Sequence, residues 1–290
     1  MRRTFAEIVA SAGVNALQQY RILYNLFTEP FSDENGLHLI CRAGPYFNEY
    51  SQSFREVINF HFMELPIRVR RSYRNLVEFD RGNGFVFKRD TVWSNELDQL
   101  LTYIEYTLSL ISVAKDVGIM RIYEFAERAY ARHAATLLDD MGMCQAFKDG
   151  FVFVAPKSAP VVEVARMLPE DLSYKTFMYN HRSYTGALEK KKEVLRSLGD
   201  ALEPRRSELK TLDSSLTSDV FALLNCANVR HNNIDERDPA KYQPVIAAMN
   251  TQQLESVYDD LYQMELLAFM WLDSREVVSK TKGFVETLKP

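Results

Sequence analysis

Between residues 94 and 117 apolar side chains recur every three or four positions: Leu97, Leu100, Leu101, Ile104, Leu108, Ile111 and Val117. That spacing follows the 3.6-residue turn of an α-helix and gives the helix a continuous apolar stripe, which must be buried against partners. Ser94 or Asn95 can cap its start, and Gly118 stops it. The same period returns over 5–28, 48–64 and about 119–140, where Ile122, Phe125, Ala129 and Leu137 share one side. Pro66 ends the second of these, and 67–79 continues as a short helix. Further on, helices are expected over 160–168, 176–200, 217–231 and 251–280, the last with Leu254, Val257, Leu261, Met264 and Leu267 or Ala268 as its buried stripe.

One stretch breaks the pattern. In Phe147-Lys148-Asp149-Gly150-Phe151-Val152 an Asp-Gly pair lies between β-prone residues, a strong signal for a tight hairpin. Pro156 and Pro160 follow and read as a linker. Gly82-Asn83-Gly84 before Phe85-Val86-Phe87 suggests a second small hairpin. The expected fold is mainly α: two helical bundles joined by a short β-hairpin, divided into a helical part, 1–142, and a hairpin plus helical bundle, 143–290.

Composition narrows the chemistry. At 47% hydrophobic and 12% aromatic, the 290 residues can fill packed cores. No run of eighteen apolar residues appears, so no membrane span is expected. The start, Met-Arg-Arg-Thr-Phe-Ala-Glu, lacks the apolar core of a secretory signal. Cys41, Cys144 and Cys226 are isolated and fit free thiols in a reducing cytoplasm. A net charge of −4 argues against bulk attraction to nucleic acid, so any such contact needs a local basic patch. Neither a phosphate loop nor a dinucleotide fingerprint nor a nucleophile elbow is present. His and Cys are too scattered for zinc, so no metal or cofactor is expected. Adjacent carboxylates such as Asp139-Asp140 and Asp259-Asp260 diverge on a helix.

Three clusters remain as candidate sites. Arg230, His231 and Asn232 close the helix expected over 217–231. There a fixed cation beside a titratable imidazole either binds a phosphate or caps the helix and pairs with Asp235 or Glu236. Arg68, Arg70, Arg71 and Arg74, with Tyr73 among them, form the strongest basic patch. Arg68, Arg71 and Arg74 share a face if the segment is helical. The patch reads either as a nucleic-acid contact with a stacking tyrosine or as surface pairing with Glu64, Glu78 and Asp80. His181 and Arg182 lie on the helix of 176–200 and approach Arg230 if the two helices pack. Lys190-Lys191-Lys192 reads as a solvated face.

The order of features after 143 resembles the C-terminal region of AbiJ-type abortive-infection proteins, members of the HEPN group of helical domains. The matching pieces are the hairpin at Asp149-Gly150, Tyr184-Thr185-Gly186-Ala187-Leu188-Glu189, the Leu-Gly-x-Ala-Leu element Leu198 to Leu202, and Asn228-Val229-Arg230-His231. The last is similar to a Gly-Ile-Arg-His ending, with Asn228 in the glycine position. Tyr103-Ile104-Glu105-Tyr106 looks like an N-terminal element of the same group. The resemblance implies a bundle of about four helices that often forms homodimers. It also implies antiviral defence, RNA as target and metal-independent endoribonuclease activity, or else a non-catalytic sensor or adaptor that engages a phage or host protein. Arg230, His231 and Asn232 would be the catalytic group, brought together across a twofold axis because neighbouring helical residues point about 100° apart. The group's Arg-to-His spacing of four to six intervening residues also occurs at Arg128/His133 and Arg55/His61, as chance allows in a chain with 22 arginines and five histidines.

Overall fold

The computed structural model describes residues 13–29, 53–120 and 124–288. The chain is mainly helical, with one two-stranded antiparallel hairpin, and it divides into two compact units, Met1–Pro156 and Lys157–Pro290. Cys41, Ile122 and the starts of the helices expected over 5–28 and 48–64 lie outside the described residues.

The first unit is built on the 94–117 stripe. Its described helices are α1 (Ala16–Thr28), α2 (Phe54–Phe60), α3 (Ile67–Arg70), α4 (Leu76–Gly82), α5 (Glu96–Asp116) and α6 (Glu124–Asp140), followed by β1 (Met143–Lys148) and β2 (Phe151–Pro156). Asn95 caps α5 by accepting the Leu97 and Asp98 amides, and Gly118, at φ 83°, lets Ile119 N–H reach back to the Ala114 carbonyl. Thirteen of the 21 residues of α5 are buried, more than one stripe, so α5 is the axis on which the unit packs. Tyr20 and Phe27 of α1 pack against Tyr103, Phe27 also meets Tyr106, and Phe54 of α2 and Tyr130 of α6 close around Phe27, with ring centroids about 5–6 Å apart. The buried Tyr130 hydroxyl donates to Thr107 at 2.7 Å.

The hairpin turns at Asp149 and Gly150, both at positive φ (53° and 82°), and pairs Lys148 with Phe151 and Met143 with Pro156. Both central residues at positive φ is the primed turn that Asp-Gly favours. The other edge of β2 would leave amides without partners, which burial forbids. Two side chains of α5 supply them. The Val152 amide donates to Ser109 Oγ at 2.8 Å, and the Val154 amide donates to the Glu105 carboxylate at 2.7 Å. Residues four apart on a helix advance about 6 Å, and residues two apart on a strand about 6.6 Å, so the two pairs fall into register. The hairpin therefore belongs to the first unit, and the division expected at 142/143 falls after Pro156.

Two local expectations fail for tertiary reasons. No strand forms at Phe85-Val86-Phe87, because Gly82 completes α4 and the rings of Phe85 and Phe87 turn in against Tyr106 at 5.1 and 5.0 Å. The helix expected over 67–79 breaks at Arg71, whose φ is 51°.

The second unit contains α7 (Ala159–Met167), α8 (Glu170–Met178), α9 (Leu188–Leu202), α10 (Arg206–Leu212), α11 (Ser214–Cys226), α12 (Pro244–Ala247) and α13 (Thr251–Thr287). The helix expected over 176–200 is thus split, with Asn180 to Ala187 between α8 and α9, and the helix of 217–231 ends at Cys226. Val194, Leu195 and Leu198 of α9, Val220, Phe221 and Leu224 of α11, and Tyr258, Leu261, Tyr262 and Leu266 of α13 make its core. Gly199 allows the close approach: a Cβ there would stand 2.6 Å from Leu224 Cδ1. Among the described residues no helix is long and apolar enough to cross a membrane.

Ser109→Ala leaves the buried Val152 amide without an acceptor. The expected cost is about 1–3 kcal/mol of unfolding free energy, read from urea titration as a lower midpoint with unchanged slope.

Candidate functional site

The arginine patch lies at a break in the backbone. The Arg70 carbonyl accepts the Tyr73 amide at 3.0 Å, and Arg71, at φ 51° and ψ −125°, takes the second position of this four-residue turn. Those angles are those of a type II′ turn, where glycine is strongly favoured. An arginine there carries backbone strain of order 1–3 kcal/mol. The turn spoils the helical face expected for Arg68, Arg71 and Arg74, yet Arg68 and Arg71 both line one cleft.

The carboxylates expected to pair with the patch are engaged elsewhere. Glu64 holds His61 Nδ1 at 2.7 Å. Glu78 accepts the Arg74 backbone amide at 3.0 Å. Asp80 binds Arg55 at 2.5 Å and accepts from the Tyr106 hydroxyl at 2.7 Å. Among the described residues, the guanidinium groups of Arg68, Arg71 and Arg74 therefore meet no carboxylate. Arg70 is tied down through its Nε to the Leu65 carbonyl at 3.2 Å. Tyr73 does not project for stacking as expected. Its ring packs edge-on to Phe79 at 5.8 Å and lies directly on Gly82, where a Cβ would clash with it.

The cleft has a volume of about 240 Å³. Arg68 and Arg71 stand at it, Phe79, Phe85, Phe151 and Phe153 wall it, and Glu105 and Tyr106 bring polar atoms to its lining. Drug-sized sites run roughly 300–1,000 Å³, so this one suits a single ring system with a small substituent. Burial, reinforced by the nearby Asp80 carboxylate, pushes the Tyr106 phenol well above its ordinary value, so it stays a neutral donor to Asp80. The Asp80–Arg55–Tyr106 cluster thereby gives the cleft a rigid polar support.

In the second unit, Arg230 and His231 lie beyond the end of α11. Asn228 is in the left-handed region at φ 59°, and the Arg230 amide turns back to the Leu224 carbonyl at 3.0 Å. A glycine or an asparagine suits such a position. The loop is then locked by a reciprocal clasp between two buried amides: Asn228 N–H donates to Asn233 Oδ1 at 2.9 Å, and Asn233 N–H donates to Asn228 Oδ1 at 3.2 Å. Arg196 adds a 2.7 Å bond to the Val229 carbonyl.

The Arg230 guanidinium lies over the Phe221 ring at 5.6 Å and binds Glu203 at 2.7 Å and Asp200 at 3.3 Å. Its partners are thus on and just after α9, not the expected Asp235 or Glu236; Asp235 takes Arg237 at 2.8 Å. The hydrogen bond from Arg230 holds the Glu203 carboxyl below its ordinary range. His231 and Asn232 are exposed. His181 is buried, with Nδ1 2.8 Å from Ser183 Oγ and Nε2 3.3 Å from Arg182. It lies near the N-terminal end of α9, where Lys190 reaches the Ser183 carbonyl, whereas Arg230 sits at the C-terminal end. The 15 residues of α9 span roughly 20 Å, so the expected approach of His181 and Arg182 to Arg230 does not occur.

Several groups carry no plain sequence signal. Lys191 is buried between Glu255 at 2.8 Å and Asp259 at 2.6 Å, unlike the solvated lysine run expected. Glu265 is fully buried, its Oε1 3.2 Å from where a Gly199 Cβ would lie, and neither oxygen has a hydrogen-bond partner among the described residues. Arg128 pairs with Glu124 at 2.6 Å, away from any basic cluster. Among the described residues no group of His, Cys, Asp and Glu could hold a metal ion. No family model, curated protein or solved structure matches the chain.

Burial raises the Glu265 carboxyl well above its ordinary value; Arg230 pulls it down and Asp200 pushes it up. Because the folded value exceeds the unfolded one, stability is full below about pH 4.3 and falls as pH rises toward the folded value, by up to about 1.4 kcal/mol per pH unit. Glu265→Gln removes that slope. Urea titrations from pH 4 to 8 are expected to find the variant level with the parent near pH 4 and increasingly the more stable above it.

Proposed function

We propose that the chain is an RNA-binding module of an abortive-infection-type defence system, acting in the cytoplasm, and that it binds without cutting. The observation that carries this reading is the set of three guanidinium groups, Arg68, Arg71 and Arg74, that meet no carboxylate among the described residues, two of them lining a cleft walled by phenyl rings. Fixed cations beside aromatic rings suit single-stranded RNA, since phosphates supply affinity and stacking accommodates any base. The net charge of −4 then matters little, because the basic patch is local. The defence setting is supported by the ordered resemblance from the hairpin to Asn228-Val229-Arg230-His231, and by Asn228 occupying a left-handed position that glycine would also suit.

A second reading keeps the nuclease. Arg230 of one chain and His231 of another would meet across a homodimer, with His231 and Asn232 exposed for that purpose. It requires Arg230 to exchange Glu203 and Asp200 for a phosphate.

Both readings have direct tests. Binding of a single-stranded RNA should weaken with salt, at about 0.7 log units per log unit of salt for each phosphate contact. Replacing Arg68, Arg71 and Arg74 together by alanine is expected to cut that slope by about 2; an unchanged slope rejects the patch. Incubation of the RNA with the protein in chelator is expected to leave it intact. Cleavage that disappears in both Arg230→Ala and His231→Ala would establish the second reading instead.

A further inference from the structure

The cleft itself suggests more than a general RNA contact. Its volume of about 240 Å³ is too small for a folded nucleic acid and suits one ring system with a short substituent. Its lining is divided by chemistry. Phe151 and Phe153 come from β2, Phe79 from α4 and Phe85 from the segment after it, and together they give the cleft an aromatic, apolar wall. Arg68 and Arg71 give two cations whose guanidinium groups are unpaired among the described residues. The Glu105 carboxylate is held in the lining by the Val154 amide at 2.7 Å, and a carboxylate accepts several hydrogen bonds at once. A ligand matching all three groups of lining residues carries a planar apolar ring, an anionic group and a hydrogen-bond donor.

We propose that the cleft is a mononucleotide-sized site, taking one base that carries an exocyclic amine against the phenyl rings, with the amine toward Glu105 and the phosphate on Arg68 and Arg71. This deepens the RNA-binding reading and rests on it. The backbone at Arg71 points the same way. Its II′ position favours glycine, and an arginine is kept there at the expense of strain. Strain at a cleft, on a side chain that meets no carboxylate among the described residues, is expected where the side chain serves a ligand. The same nucleotide chemistry is offered by a free mononucleotide and by an unpaired nucleotide of an RNA strand.

Calorimetric titration with AMP, IMP, adenosine and inorganic phosphate, and competition of AMP with a labelled single-stranded oligoadenylate, test this on the full chain. AMP is expected to bind saturably, with adenosine and phosphate at least tenfold weaker. IMP, which lacks the amine, is expected to bind several-fold more weakly than AMP, and Glu105→Gln is expected to erase that preference. Arg71→Gly discriminates most sharply. It relieves the turn, so Tm is expected to rise by a few degrees while AMP affinity falls at least tenfold; a merely structural Arg71 would leave affinity unchanged. Displacement of the oligonucleotide by AMP assigns the site to an RNA nucleotide, and AMP binding without displacement assigns it to a free one. RNA binding with no AMP binding overturns the mononucleotide site and leaves the RNA-binding reading standing. Binding of neither overturns both.

Discussion

The first unit depends on how one helix terminates one strand. The amides of Val152 and Val154 face away from β1, and Ser109 and Glu105, one turn apart on α5, accept them. Without those acceptors β2 would be an open buried edge, which costs free energy and invites pairing with another chain. With them, the hairpin is drawn onto α5, and Phe151 and Phe153 come to line one cleft with Phe79 and Phe85. The cleft is thus a by-product of edge satisfaction. Glu105 belongs to both, since the carboxylate that completes the strand also lines the cavity.

The charged groups divide according to whether their carboxylates are committed. In the second unit almost every cation singled out has found a partner: Arg230 with Glu203 and Asp200, Lys191 with Glu255 and Asp259, Arg196 with the Val229 carbonyl. Buried or half-buried pairs of this kind order a fold and leave little for a ligand unless they break. The clasp of Asn228 and Asn233 fits the same pattern, because it fixes the loop that carries Arg230. Around Arg71 the reverse holds. Asp80, Glu64 and Glu78 have other partners, and Arg68, Arg71 and Arg74 meet no carboxylate among the described residues. An unpaired cation beside an apolar slot invites an anion more readily than a paired one.

Local signals were legible wherever backbone chemistry decides the outcome. Asn95 and Gly118 bound α5, and Asp149-Gly150 makes the turn because two left-handed residues in a row admit few alternatives. The same reasoning applied to Gly82-Asn83-Gly84 misled, because Phe85 and Phe87 gain more by entering the aromatic core than by pairing as strands. Arg71 could not be read as a turn residue, since nothing in its type suggests positive φ. The partners of Arg230 lie 27 and 30 residues away on and beyond another helix, a separation that no local pattern encodes. Glu265 has no apolar signal of its own, and it is buried because α9 comes close at Gly199. The patch Arg68, Arg70, Arg71 and Arg74 is legible as a local run of arginines; that Arg68, Arg71 and Arg74 meet no carboxylate among the described residues is not.

On the proposed function, RNA engages the cleft of the first unit and not the Arg230–His231 loop. Photo-crosslinking of single-stranded RNA to the intact protein, with the attached peptides identified by mass spectrometry, addresses that claim without any variant. Crosslinks concentrated in 68–85 and 151–153 are the predicted result. Crosslinks concentrated in 228–233, with none at the phenyl-walled cleft, would contradict it.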